Sequence, residues 1–457
     1  MKILLVNIIL IGRTGTEVVC CETARGLRQR GHDVAIYVQQ EGNAAEKLRS
    51  EGFHVTTDLS SIPQIPDVIQ ANQTFPLLEA IGRFPATPAI SICHDATVWY
   101  NEPLALPSIR RHVAVDLACR DRIASAITDL DRPIEILPNA VDLEAFQQRA
   151  PLPHRPTRAL VLAKVPNYLD AVRDACAQRG LELSIVGPGI NEVSNLPAYF
   201  HSHDLVFASA RSALEAMAAG CAVIVMDGRG FAGLVTHDMV SSWRQNNFGL
   251  RLLTRPVSTE LILDAIDRYD AADAQRVCNF IREDSSLDDY LDRLEAIYRE
   301  VIAESAEQPV DRDQLLDRMS QSIRRIESAW NRQTQASVAK FAQSTRDELN
   351  RHFEQHLLAR EAELRAGSRQ EMATREAELR AEFRQVMSTR EAELQEQKRA
   401  SEAEVRAAKA RLRRQVDELQ RQIDFKEAEF AAFRSWAAPR NLPRRIFHRI
   451  RRDLFGR

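Results

Sequence analysis

The chain has 457 residues, enough for about two to three domains, and an apolar fraction of 44% that is ordinary for a globular protein. Its formal net charge of −3 excludes a general attraction to nucleic acid, and no run is apolar for long enough to span a bilayer. The seven cysteines are scattered without a C-x-x-C, as expected of reduced thiols in a cytoplasmic protein, and no His/Cys/Asp grouping has metal-ligand spacing.

Residues 1–11 are apolar but short, carry one Lys and lack a small-residue cleavage site. They read as a buried strand (3–7) rather than a secretory signal. A loop (8–16), a helix (17–30) closed by Gly31 and a second strand (33–37) follow. This opening is Rossmann-like, but it has no G-x-G-x-x-G, so a dinucleotide is not indicated. Further strand and helix signals fall at 54–57, 68–71, 76–83 and 89–93. His94 and Asp95 end the last of these strands, and ligands bind at strand C-termini in open α/β sheets. Another strand–helix unit spans 112–126. A strand at 134–140 is stopped by Pro138 and carries an Asx-type turn at Asn139, before Val141 and Asp142.

Residues 150–158 are a proline-rich polar linker. A strand at 159–163 ends on Lys164. A helix at 170–179 is ended by Gly180, and a strand at 183–186 enters the turn Gly187-Pro188-Gly189. The stretch 204–236 is the densest signal in the chain. A strand (205–207), the turn Ala208-Ser209-Ala210, a helix (212–219) closed by Gly220, an apolar strand (221–226) and a glycine-rich turn (227–230) make a parallel crossover unit. The helix start exposes backbone N–H groups at its positive dipole end, a place suited to phosphate, and Arg211, Ser209 and Ser212 add charge and donors. Glu215, one turn further on, can accept from a sugar hydroxyl. Residues 246–249 read only as a turn, and 285–303 as a long terminal helix.

These motifs resemble those of the retaining glycosyltransferases of family 4, two-Rossmann-domain enzymes of the GT-B fold (glycosyl transferases group 1) that use nucleotide sugars. Leu214-Glu215-Ala216-Met217-Ala218-Ala219-Gly220 is similar to the family's L-E-A-M-A-x-G. TGTEVVCCETARGLRQRGHDVAIYV (residues 14–38) is similar to its G-G-T-E…L-A-R-G-L-x-x-R-G-H-x-V, and Pro138, Asn139 and Asp142 match its P-N-x-V-D at the domain crossover. The resemblance implies that Glu215 holds the nucleotide ribose, that Gly15 lines the cleft near diphosphate and acceptor, and that His94 contacts the donor sugar. It implies too that Gly187 and Gly189 approach the base and ribose with backbone. The chain also departs from the pattern. Phe207 stands where the family has its first glutamate, Thr14 where it has a first glycine, and Lys164 where it has an arginine, with no second lysine following. Lys164 and Arg211 together can then neutralise a departing diphosphate. The alternatives are two solvated surface cations, a structural His94 and a Glu215 on an ordinary helix surface.

After Pro309 there is no proline until Pro439 and one glycine, Gly367, in a composition of long-helix formers. Arg-Glu-Ala-Glu-Leu recurs at 360–364, 375–379 and 390–394, a fifteen-residue repeat. Its seam (Leu364, Met372, Leu379, Met387, Leu394) winds right-handed or nearly straight. Leu412, Val416, Leu419, Ile423, Phe430 and Phe433 then follow a heptad. Such a helix cannot bury its stripe alone, so a homo-oligomeric coiled coil is expected, roughly 120 residues and about 180 Å long. The alternative is a single charged helix held by i,i+4 pairs. In the last 24 residues, Leu442, Ile446, Ile450 and Leu454 lie one helical turn apart among arginines, beside Phe447. That pattern suits an anionic membrane surface better than nucleic acid.

The expected fold class is α/β: two Rossmann-like domains (1–148 and 149–305), a long α-helical coiled coil (310–433) and a basic amphipathic tail (434–457). The function implied is transfer of a sugar from a UDP- or GDP-linked donor to a lipid-linked or growing surface polysaccharide of O-antigen or capsule type, with retention. The chain would act in the cytoplasm, with peripheral membrane contact through the tail. His94, Lys164 and Arg211 are the expected catalytic residues. Gly15, Gly187, Gly189, Ser209, Ser212 and Glu215 are the expected donor-binding residues, with no metal, no cofactor and no nucleic acid. Two competing readings are a catalytically decayed GT-B scaffold whose coiled coil tethers a polysaccharide-assembly complex, and a sugar-nucleotide epimerase of the same shape.

Overall fold

The computed structural model describes residues 1–436 apart from 13, 129, 131–132, 164, 188–190, 192, 194 and 365–368, and it describes no side chains at 358–374 or 412–436. Lys164, Gly189, most of the basic tail and most of the expected helical seam therefore lie outside the described residues. The chain divides into two compact units, the first Met1–Ala329 and the second beginning at Trp330.

The first unit opens with β1 (Lys2–Leu10), α1 (Gly15–Gln29), β2 (Asp33–Glu41), α2 (Asn43–Ser50) and β3 (His54–Thr56). It continues through β4 (Val68–Ala71), α3 (Thr74–Arg83), β5 (Ala89–Cys93), β6 (Ile109–Ala114), α4 (Leu117–Ala126) and β7 (Glu135–Ile136). All pairings are parallel, in the order β3-β2-β1-β4-β5-β6-β7, so the order reverses between β1 and β4. β1 and β4 are apolar runs buried on both faces, as helices on either side of a parallel sheet require. β1 runs on through Ile8 and Ile9, which the sequence places in a loop, because Ile9 still pairs with Gln40.

A second sheet follows: β8 (Arg158–Leu162), α5 (Leu169–Arg179), β9 (Glu182–Val186), α6 (Leu196–Ser202), β10 (Leu205–Ala208), α7 (Arg211–Ala218), β11 (Ala222–Asp227) and β12 (Gly230–Leu234). Its order is β12-β11-β10-β8-β9, with β12 antiparallel at the edge. β8 has β9 on one side and β10 on the other, which makes the β8/β10 boundary the switch point of this sheet. Gly180 ends α5 in the left-handed region at φ 67°, where a side chain is disfavoured. Helices α8 (His237–Arg244), α9 (Thr259–Asp267) and α10 (Ala271–Asp284) complete this part.

The chain crosses between the sheets twice, and the crossings lie side by side. Val141 N–H donates to the Ser285 carbonyl at 2.8 Å, and Leu287 N–H to the Val141 carbonyl at 2.9 Å. After the second crossing, α11 (Leu287–Glu307) packs on the first sheet. Its Tyr290, Leu291, Leu294 and Tyr298 share a core with Ile3, Leu27 and Ile90. Tyr298 donates to the Gln70 carboxamide within that core. The first turns of α12 (Arg312–Leu364) bury Leu315 and Ile326 against Leu4, Val6 and Leu104.

The second unit holds the rest of α12 and α13 (Arg369–Trp436). The sequence reads as one continuous helix here, but the structure has two. The Phe353 and Phe383 rings lie 4.3 Å apart, so α13 runs back beside α12 at that level. The repeats are laced internally, with Arg375–Glu378 and Arg390–Glu393 ion pairs in the same place of successive repeats. Among the described residues no helix is long and apolar enough to cross a membrane.

Candidate functional site at the seam between the two sheets

Ion pairs join the surroundings of the two sheets, Arg211 with Glu22 and Arg251 with Asp121. On the second sheet, β10 ends at Ala208 and α7 begins at Arg211, one residue earlier than the sequence suggests. Between them Ala210 adopts φ 54° and ψ −131°, a backbone conformation that costs a non-glycine residue free energy. Its N–H donates to the Phe248 carbonyl at 2.8 Å. Asn247 and Phe248 are themselves left-handed, at φ 49° and 51°. The 246–249 turn, unexplained in the sequence, thus anchors the helix start from which the N–H groups of α7 project.

Arg211 is 8% exposed. Its Nε donates to Glu215 Oε1 at 2.7 Å, and its Nη2 to both oxygens of Glu22 at 2.6 and 2.5 Å. Glu215 belongs to α7 and Glu22 to α1, so the three charges span the seam. Burial works against the guanidinium, but Glu215 and Glu22 hold it protonated. Burial raises the Glu22 carboxyl above its usual range although Arg211 opposes this, and Glu215 and Asp142 push in the same upward direction. With both acids ionised the group carries one net negative charge. Removing either kind of partner from such a buried set leaves an uncompensated charge.

Opposite stands a row of polar side chains at the strand ends of the first sheet. Asn72 Nδ2 donates to Asn7 Oδ1 at 3.3 Å, and His94 Nε2 lies 3.1 Å from Asn72 Oδ1. That oxygen only accepts, so Nε2 carries the proton and Nδ1 keeps its lone pair. Burial, and then the Arg211 charge, lower the His94 pKa to about 4, so the ring is neutral at pH 7. The structure therefore brings His94, Arg211 and Glu215 into one electrostatic neighbourhood.

The other expected residues are placed as follows. Ser209 Oγ is buried and donates to Asp227 Oδ2 at 2.6 Å, and Asp227 also accepts from Arg229 Nη2 at 2.6 Å. Arg229 lies within the field of Asp95 across the seam. Ser212 lies in the first turn of α7. Gly15 opens α1 with open space around it. Next to it Glu17 accepts from the Ile11, Gly12 and Thr14 N–H groups at 2.5, 2.8 and 2.7 Å, which shapes the preceding loop. A Cβ on Gly187 would lie 1.9 Å from the Ala163 carbonyl oxygen, so glycine is needed there for strand packing. Phe207 is fully buried in the core beneath the sheet, so no side chain of that position reaches the seam. Asp142 caps the turn at the crossover, accepting from the Glu144 and Ala145 N–H groups at 3.0 Å each.

The sequence reading misses Glu22 and Arg229 as seam residues. Glu22 left one signal, an acid set among Cys20, Cys21, Thr23 and Ala24 in a helix stretch with no exposed residue between Thr16 and Leu27. Among the described residues no group of His, Cys, Asp and Glu could hold a metal ion.

No protein-family model and no curated protein matches the chain. Several solved structures are similar in fold. A glycosyltransferase from Rickettsia africae ESF-5 aligns with a TM-score of 0.48 and 14% identity, covering 66% of this chain and 98% of that one. Anabaena HepE, solved with UDP and glucose, aligns at 0.46 and 15%, covering 65% and 99%. The lipopolysaccharide outer core galactosyltransferase WaaB aligns at 0.44 and 12%, covering 66% and 100%.

Proposed function

We propose that the first unit is a glycosyltransferase that moves a sugar from a nucleoside diphosphate donor to a lipid-linked or growing surface polysaccharide. The observation that carries this reading is the switch point of the second sheet. There a helix start and a buried arginine face a neutral histidine on the strand ends of the first sheet. In this reading Arg211, together with Lys164, neutralises the departing diphosphate. Glu215 holds the ribose, and the α7 N–H groups and Ser212 receive phosphate oxygens. Gly187 and Gly189 approach the base, while His94 and the Gly15 loop face the sugar and acceptor. Transfer proceeds with retention, and neither metal nor cofactor takes part. The helical extension makes the protein a homo-oligomer, and the basic tail rests on the cytoplasmic face of the membrane.

The experiment is a thermal-stability screen of UDP-, GDP- and other nucleotide sugars. A donor that binds the native state raises the melting temperature by mass action. Glu215→Ala is expected to abolish most of that shift, and an unchanged shift removes Glu215 from the site.

A second reading, a catalytically decayed scaffold, is favoured by two observations. Phe207 is in the core, and Arg211 is already neutralised by two carboxylates. Calorimetry separates the readings, because a decayed seam has no nucleoside diphosphate affinity.

A further inference from the structure

Arg229 lies in the turn between β11 and β12. Asp227, which ends β11, accepts from the Arg229 backbone N–H at 2.9 Å, from its Nε at 3.1 Å and from its Nη2 at 2.6 Å. The same carboxylate accepts from Ser209 Oγ at 2.6 Å, which ties Arg229 to the turn between β10 and α7, just before Arg211. The turn is also tied to the loop that follows β8. Asn167 Nδ2 donates to the Gly228 carbonyl at 3.2 Å, and a Cβ on Gly228 would lie 2.3 Å from Val165 Cγ2, so glycine is what lets the two segments pack so closely. Arg229 is thereby fixed among the C-terminal ends of three parallel strands, β8, β10 and β11, at the side of a sheet where ligands bind.

The Arg229–Asp227 ion pair is lopsided. The Asp227 side chain is 4% exposed and the Arg229 side chain 45%. The carboxylate is turned inward towards Ser209, and the guanidinium covers it. Asp227 engages Nε and Nη2, and among the described residues Nη1 has no hydrogen-bond partner. An anion arriving from solvent therefore meets the guanidinium and not the acid. The Asp227 hydrogen bond holds that guanidinium charged against the effect of burial, and the field of Asp95 adds to it. Arg211 differs in both respects, since its side chain is 10% exposed and its Nε and Nη2 are already taken by Glu215 and Glu22.

We propose that Arg229 is the solvent-facing cation that receives the diphosphate of the donor, and that Asp227 is the positioning residue that holds its guanidinium at the strand ends of the second sheet. This rests on the nucleotide-sugar reading above and adds to it a residue that recognises the ligand. A diphosphate brings more than one negative charge, and Arg211 is already matched by two carboxylates, so a guanidinium open to solvent beside the start of α7 supplies attraction that Arg211 does not. The open end of the guanidinium, Nη1 with the outer edge of Nη2, presents paired donors that suit two phosphate oxygens. Asp227 and Ser209 fix the direction of that fork, so little side-chain freedom is lost when the anion arrives.

The test is arginine modification of the full chain with phenylglyoxal, mapped by peptide mass spectrometry with and without UDP or inorganic pyrophosphate, beside titration calorimetry of the wild type and Arg229→Gln. With UDP at about ten times its Kd, about a tenth of the protein is unliganded, so modification of Arg229 should slow about 10-fold. Arg268, just after α9 and with a side chain 65% exposed, should react at the same rate throughout. Arg229→Gln should bind UDP and pyrophosphate about 10-fold more weakly than the wild type. An Arg229 that only neutralises Asp227 would not be shielded by either ligand. A wild type that binds UDP while Arg229 is modified at an undiminished rate overturns this proposal and leaves the nucleotide-sugar reading standing. A wild type that binds neither UDP, GDP nor pyrophosphate overturns both. The modification map uses the unaltered chain, so it decides the matter even if Arg229→Gln fails to fold.

Discussion

Arg211 Nη2 and the Glu22 carboxylate meet across the seam between the two sheets, at 2.6 and 2.5 Å to its two oxygens. A carboxylate on a guanidinium presents the same pair of acceptor oxygens that a phosphate would. An acid of helix α1 therefore sits at the place on Arg211 that the proposed reaction gives to the donor's phosphate. If the proposed reaction is right, donor binding has to displace Glu22 from Arg211.

Glu22→Gln follows from this relationship. The substitution leaves Arg211 with Glu215 alone and removes the competing anion. Affinity for UDP or inorganic pyrophosphate is expected to rise about 10-fold, equivalent to about 1.4 kcal/mol. Titration calorimetry of the two proteins measures it directly. Equal or weaker binding by the variant would mean that Glu22 does not compete with the ligand.

Arg211→Ala should act in the opposite way. It leaves Glu22 and Glu215 buried side by side without their cation, and the loss is expected to be about 3–5 kcal/mol at pH 7. The sign of its pH dependence is fixed. Two facing carboxylates have raised pKa values in the folded state, and the Glu22 carboxyl is already raised in the wild type. Folding then takes up protons that the unfolded chain releases, so the deficit shrinks as pH falls from 7 towards 5. Urea denaturation at both pH values reads this out. A deficit that grows on acidification contradicts the geometry.

His94 and His112 have folded pKa values of about 4, for His94 through burial and Arg211, for His112 through burial alone. Below the unfolded value of about 6.5 the unfolded chain binds a proton at each that the folded chain refuses. Stability attributable to them is complete above that value and is lost as pH falls towards 4. Each adds at most about 1.4 kcal/mol per pH unit to the slope. His112→Gln should flatten the stability–pH curve between pH 6 and 4.5, even though it lowers stability at pH 7. If the slope is the same in both proteins, His112 is not the titrating group.

A Cβ on Gly187 would stand 1.9 Å from the backbone oxygen of Ala163, a contact that no rotamer change relieves. Gly187→Ala is therefore expected to cost more than about 2 kcal/mol, through a forced backbone shift between the ends of β8 and β9. A neutral result in chemical denaturation would show that these strand ends separate freely.

The crossover at 204–236 was legible because its physics is local. Two continuous apolar strands, a small-residue turn and Gly220 at φ 93° leave few alternatives. The two Rossmann-like sheets followed from the same signals repeated along the chain. The antiparallel strand Gly230–Leu234 was not legible, since GFAGL resembles a turn until it finds the edge of β11. The approach of α13 to α12 was not legible, because composition alone does not reveal that Phe353 and Phe383 meet. The engagement of Arg211 was hidden for a different reason. Glu22 lies 189 residues away in sequence, and an ion pair between two helices of different sheets leaves no periodicity to read.

Ala210 offers the last prediction. The residue holds φ 54° and ψ −131° because its N–H must reach the Phe248 carbonyl and because Arg211 must begin α7 at once. Glycine adopts this conformation without a clash between Cβ and backbone. Ala210→Gly is therefore expected to raise stability by about 1 kcal/mol, the strain relieved less the greater entropy of glycine in the unfolded chain. The urea midpoint should move up with an unchanged slope, since the surface exposed on unfolding is the same. The N–H groups at the start of α7 keep their positions, so ligand affinity at the seam should stay within about twofold. A lower midpoint would mean that Ala210 is not strained where it stands. An unchanged midpoint with weakened binding would show instead that the alanine methyl group itself helps to form the site.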